Sequence, residues 1–119
     1  MHRILLIEDH QDTGDLIKTT LELEGHAVTW CQTFDSALDG CSSAERPCLV
    51  LMDLLVPGKT SPRDFIAGVK QKYPGVQIFI LSGHPKSNGS ANEYDVDGYV
   101  AKPFDLNELT QLIATKCKP

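Results

Sequence analysis

The chain has 119 residues, 41% hydrophobic and 23% charged, with a formal net charge of −5. That length supports one core and is too short for two, so a single domain over 1–119 is expected. The acidic balance excludes the basic face that direct nucleic-acid binding requires. No apolar run approaches the ~20 residues of a membrane span, and no secretory signal precedes the first apolar run. The four cysteines, Cys31, Cys41, Cys48 and Cys117, show no C-x-x-C pairing. Cys31 and Cys48 lie in apolar stretches, where a free cysteine behaves as a small hydrophobe. Free thiols, no zinc site and a reducing, cytoplasmic compartment are the expectation.

Strand and helix patterns alternate along the chain. Residues 3–8 read as a fully buried strand and 13–24 as a helix, with Leu16, Ile17, Thr20 and Leu21 on its inner face and Gly25 to stop it. Asp12 is the expected N-cap. Residues 27–32 alternate as an edge strand does, and Trp30 on that strand is not expected to report on events elsewhere. Phe34, Ala37, Leu38 and Cys41 set helical spacing over 34–42, and 48–53 form the third strand. Ser61, Pro62 and Asp64 make a capping-box-like start for a third helix. Its inner face is Phe65, Ile66, Val69 and Tyr73, and Pro74-Gly75 ends it. Strands follow at 76–81 and 98–102, then a helix over 105–116 with Leu106, Leu109, Leu112 and Ile113 inward. Asp105 at its start and Lys116 and Lys118 near its end suit the helix dipole. Two parallel strands need a crossover between them, yet residues 84–97 are poor in helix formers, Pro85, Asn88, Gly89, Ser90 and Asn92 among them. A short or irregular helix is expected there.

The chemistry gathers where apolar strands end. Glu8-Asp9 follow the first strand, Asp53 closes the third, Ser82-Gly83 follow the fourth and Lys102-Pro103 the fifth. The carboxyl ends of strands in an open parallel sheet are where ligands bind. Three carboxylates on one edge repel each other unless a cation joins them, and an all-oxygen set with room for water suits Mg²⁺. Glu8-Asp9 alone leave metal binding and helix capping equally open. Asp53 has no evident capping role, because the next helix has its own cap in Ser61. A carboxylate can attack phosphorus to give an acyl phosphate, and phosphoryl transfer asks mainly for positioning and charge neutralisation. Lys102 and Ser82 could supply a counter-charge and a hydrogen bond. His10 reads as an exposed loop residue.

Taken in order, Glu8-Asp9, the stretch from Asp53 to Pro57-Gly58, Ser82-Gly83, Asp97-Gly98-Tyr99 and Lys102-Pro103-Phe104 resemble the receiver domain of bacterial response regulators over essentially the whole chain. The resemblance implies a flavodoxin-like α/β fold: one five-stranded parallel sheet in the order 2-1-3-4-5, with helices on both faces. It implies Asp53 as phosphoacceptor from a histidine kinase or phosphotransfer domain, without turnover of a separate substrate. Mg²⁺ would be held by Asp9, Asp53 and the Leu55 backbone carbonyl, with Glu8 acting through water. Lys102 would bind the phosphoryl group, Ser82 would move to bond it, and Tyr99 would be the aromatic switch. The Lys102-Pro103 bond would be cis, and His84 lies where family members tune dephosphorylation. A downstream protein would read the face formed by residues 84–97, the fifth strand and the last helix.

Three departures from the family pattern stand out: Ser61 in place of a usual Gly, Asp95-Val96 in place of Gly-Ala, and the helix-poor segment before them. The last two fall on the signalling face and favour an alternative, a pseudo-receiver that binds partners regardless of phosphate. A haloacid-dehalogenase-like phosphatase would want a second Asp where Leu55 stands.

Overall fold

The computed structural model describes residues 2–40, 46–54, 56–82, 94–101 and 105–117. Five strands, β1 (Arg3–Ile7), β2 (Ala27–Cys31), β3 (Leu49–Asp53), β4 (Gln77–Ser82) and β5 (Gly98–Ala101), form one sheet. Its order is β2-β1-β3-β4-β5 and every neighbouring pair is parallel. Helices α1 (Gln11–Leu23), α2 (Phe34–Gly40), α3 (Pro62–Lys72) and α4 (Leu106–Lys116) cover its two faces. The expected irregular helix falls outside the described residues.

Side-chain alternation along each strand sorts the core into two layers. Leu5, Ile7, Val50, Met52, Ile78 and Ile80 point toward α2 and α3, where they meet Phe34, Phe65, Ile66 and Val69. Ile4, Leu6, Leu49, Leu51, Phe79 and Leu81 point the other way, against Ile17, Leu21, Leu109 and Ile113 of α1 and α4. Central strands buried on both faces read as unbroken apolar runs, which is why β1, β3 and β4 lack polar alternation. Burial of each such side chain is worth about 1.5–3 kcal/mol. The Phe34 and Phe65 rings stack with centroids 4.7 Å apart, locking α2 onto α3.

The helix ends follow local chemistry. Ser61 Oγ accepts the Asp64 N–H, with Pro62 in the first turn, and Asp105 caps α4 by accepting from the Asn107 N–H. Gly25 turns the chain after α1 at φ 92°, a conformation that favours glycine. At the start of α1 the expectation was wrong. The cap is His10, whose Nδ1 accepts the Thr13 N–H, and Asp12 is an exposed first-turn residue. The helix begins two residues early because the imidazole nitrogen serves where a carboxylate was expected. Leu16 is 52% exposed rather than inward, since the buried stripe runs through Gly14, Ile17 and Leu21.

The cysteines also depart from expectation: Cys48 and Cys117 form a disulfide, with Cα atoms 5.8 Å apart. α4 runs back across the sheet, so its carboxyl end lands beside the residue that leads into β3. Topology, not spacing, pairs them. Cys31 is half-buried and takes no part in this bond.

Candidate functional site

Each acidic residue is delivered by a strand. The ladder extends one residue past β1 through the Glu8 N–H, which donates to the Cys31 carbonyl at 3.1 Å. This fixes Glu8 at the carboxyl edge, where its side chain is 1% exposed. Its carboxylate accepts the His10 N–H at 3.2 Å, the kind of partner a buried charge needs. Asp53 ends β3, half-buried, in register with Leu81 of β4. Asp9 is exposed. Carboxylate oxygens from Glu8, Asp9 and Asp53 all lie within 4.8 Å of one another. Two full negative charges about 5 Å apart repel by about 3 kcal/mol at an effective dielectric of about 20. Such a cluster favours a hard cation, and the exposure of Asp9 leaves room for the waters that Mg²⁺ retains.

Trp30 corrects a further expectation. Its indole Nε1–H donates to the Glu8 carbonyl at 2.8 Å, so this edge-strand side chain braces the acidic turn. The ring also lies where Gly14 of α1 leaves space, which brings α1 close to β2.

A family model for the response regulator receiver domain matches residues 4–114. The chain belongs to this family. The receiver domain is 32% identical over 109 residues to the uncharacterized transcriptional regulatory protein YbdJ of Bacillus subtilis, covering 91% of this chain and 47% of that protein. It is 33% identical over 109 residues to the response regulator protein PmrA of Pseudomonas aeruginosa, covering 90% and 48%. It thus spans about half the length of the curated relatives it matches. Among solved structures, the receiver domain of a Pseudomonas aeruginosa sensor histidine kinase, with a magnesium ion coordinated in its active-site cleft, aligns at a TM-score of 0.82 and 23% identity over 97% of this chain and 96% of that one. A response regulator receiver domain protein from Clostridium thermocellum aligns at 0.82 and 24% identity, over 98% and 94%. These likenesses carry the fold.

The remaining site residues distribute unevenly. Tyr99 of β5 is half-buried and packs on the α2–α3 side of the sheet. Asp97 serves the sheet itself. Its carboxylate accepts the Ile78 N–H at 2.7 Å while its own N–H donates to the Ile78 carbonyl at 2.9 Å, joining the starts of β4 and β5. Leu55, His84, Lys102 and Pro103, and the side chain of Ser82, fall outside the described residues. At the departure Asp95-Val96, no described residue other than glycine has positive φ, so Asp95 does not imitate the left-handed glycine. It pairs instead with Lys70 of α3 at 3.0 Å.

One contributor had no signal in the sequence. Asp35, in the first turn of α2, accepts the N–H groups of Lys59 at 3.0 Å and Thr60 at 2.8 Å. It thereby ties down the segment after Asp53. Gly58 sits beside it at φ 120°, and a Cβ there would come 3.1 Å from the Asp35 carboxylate. The Thr60 side chain, then the Lys59 and Thr60 backbone N–H groups, hold the Asp35 carboxyl below its ordinary value of 3.8; the Lys59 charge acts in the same direction and desolvation opposes it. Because the folded value is depressed, this tether is intact at neutral pH and is lost as pH falls through that depressed value. Asp35→Ala is expected to speed amide exchange at Lys59 and Thr60 at pH 7. The wild type should lose the same protection, measured against the intrinsic exchange rate at each pH, only in acid, a contrast that hydrogen-exchange NMR measures directly.

Proposed function

We propose that this receiver domain accepts a phosphoryl group on Asp53 from the phosphohistidine of a histidine kinase or phosphotransfer domain. The observation that carries this reading is the convergence of the Glu8, Asp9 and Asp53 carboxylates at one sheet edge. An Asp53 oxygen bonds to phosphorus as the phosphorus–nitrogen bond to the donor imidazole breaks, and the freed imidazole leaves with the bonding pair. The three carboxylates suit Mg²⁺, the ion that the P. aeruginosa receiver domain holds in its active-site cleft; Asp9, Asp53 and the Leu55 carbonyl would hold it here, with Glu8 acting through water. When bound, the ion neutralises charge on the phosphoryl oxygens. Lys102 supplies a second positive charge, Ser82 a hydrogen bond, and Tyr99 turns inward as Ser82 shifts. The added charge then biases a two-state surface formed by residues 84–97, β5 and α4, which a downstream protein reads. Loading and loss of the phosphoryl group occur on the chain itself, with no separate substrate turned over.

No described helix is long and apolar enough to cross a membrane. A cytoplasmic setting, where histidine kinases present their phosphohistidine, belongs to the same proposal. The test is incubation with acetyl phosphate and Mg²⁺. The wild type should take up hydroxylamine-sensitive phosphate, and both chelation of Mg²⁺ and Asp53→Asn should abolish it. Label that persists in Asp53→Asn would sink the assignment, and a folded wild type that never labels would point to a phosphate-independent binding module.

A further inference from the structure

The opposite edge of the sheet carries a cluster that the phosphorylation chemistry does not use. The ring nitrogen of His2 and the sulfurs of Cys48 and Cys117 lie within 4.8 Å of one another. We propose that, once the Cys48–Cys117 bond is reduced, these three side chains form a zinc(II) site, with water in the fourth position.

The backbone around the cluster is already set. The His2 carbonyl accepts the Ala27 N–H at 2.9 Å, and the Cys48 N–H donates to the Arg3 carbonyl at 2.9 Å, so ladder bonds hold both ligands at the amino ends of β1 and β3. The Cys117 N–H donates to the Ile113 carbonyl at 2.8 Å, and the Gln77 side chain donates to the Lys116 carbonyl at 2.7 Å, which pins the end of α4 to the start of β4. His26 acts as a positioning residue: its ring stacks on that of His2 with centroids 5.4 Å apart, and its Nδ1 accepts the His2 N–H at 3.3 Å. Ligands on rigid elements lose little freedom when they bind.

The donor types decide the metal. Thiolate and imidazole select zinc over magnesium. Zn–S bonds of about 2.3 Å place two sulfurs about 3.8 Å apart in a tetrahedron. Cysteines whose Cα atoms are 5.8 Å apart reach that separation by side-chain rotation. Two thiolates cancel the charge of the ion, so seating it against the buried Cys117 leaves no net charge out of water. The chemistry balances in two steps. A dithiol reductant gives two electrons and two protons to the disulfide, leaving two thiols and its own disulfide. Zinc binding then displaces both thiol protons. The five residues of β1 separate His2 from Glu8, so six steps of about 3.3 Å put them roughly 20 Å apart and the site is independent of the acidic edge.

Zinc is d¹⁰ and spectroscopically silent, so Co²⁺ is the probe. The chain reduced by a phosphine and titrated with Co²⁺ should show a thiolate-to-metal charge-transfer band and tetrahedral visible bands, saturating at one equivalent and displaced by Zn²⁺. The oxidised chain and Cys48→Ser/Cys117→Ser should show neither. Loss of a supporting contact around a metal costs about 10- to 100-fold in affinity, so His2→Ala, which removes a ligand, should weaken binding at least about tenfold. Should reduction loosen the chain, Zn²⁺ must restore its circular dichroism and raise its melting temperature. A reduced wild type without the band, a band of equal strength in the double serine variant, or full affinity in His2→Ala would each overturn the proposal.

Discussion

Reduction of the Cys48–Cys117 disulfide, in the presence of a chelator, is expected to lower the unfolding free energy by about 4 kcal/mol. The two cysteines are 69 residues apart, and a cross-link that closes a loop of that size restricts the unfolded chain by about this much in the chain-entropy account. The loop spans β3, α3, β4, β5 and α4, over half of the fold, so freeing it adds conformations to the unfolded state while the native contacts stay in place. Buried Cys117 still packs in the α1–α4 layer as a thiol. For a chain of 119 residues the expected drop in melting temperature is about 15 °C. Thermal unfolding with and without reductant measures it. Cys48→Ser/Cys117→Ser should show the low value in both conditions. A shift of only a few degrees would mean that the unfolded chain holds β3 and α4 together without the bond.

Gly14→Ala is expected to destabilise the fold by about 1–3 kcal/mol, although helix propensity alone favours Ala over Gly by about 1 kcal/mol. The reason is steric. A Cβ at this position would lie 2.0 Å from Trp30 Cζ2 and 2.2 Å from Cε2, well inside contact distance. The indole cannot swing away freely, because its Nε1–H is committed to the Glu8 carbonyl. Relief requires α1 to lift from β2 or the ring to leave Glu8, and the second route loosens the acidic turn. Urea unfolding should therefore show the loss of stability, and calorimetric titration should show weaker Mg²⁺ binding. Trp30→Leu should recover much of the cost in the double variant, since the clash needs both partners. Additive effects would place the cost within α1 rather than at the helix–strand contact.

The features legible from sequence are those whose cause is local. Unbroken apolar runs give β1, β3 and β4. Ser61 and Asp105 announce their helices through their own side chains, and the resemblance supplies the strand order. Glu8, Asp9 and Asp53 were legible as a group because each ends a strand and parallel strands share one carboxyl edge. What the sequence hid is tertiary. Asp35 reaches Lys59 and Thr60 across two elements, and Cys48 meets Cys117 only because α4 crosses back over the sheet. His10 took the capping place expected of Asp12 because an imidazole nitrogen can accept as a carboxylate does. Leu16 fell on the outer face because the helical register follows Gly14, Ile17 and Leu21.

The bond from Trp30 to the Glu8 carbonyl has a practical side. The chain contains a single tryptophan, so all of its indole fluorescence arises from a ring attached to the turn that carries Glu8 and Asp9. Emission from such a ring follows the polarity and hydrogen bonding around it. The protein thus comes with a built-in, label-free optical gauge of its acidic turn, one that can be read in a cuvette in real time.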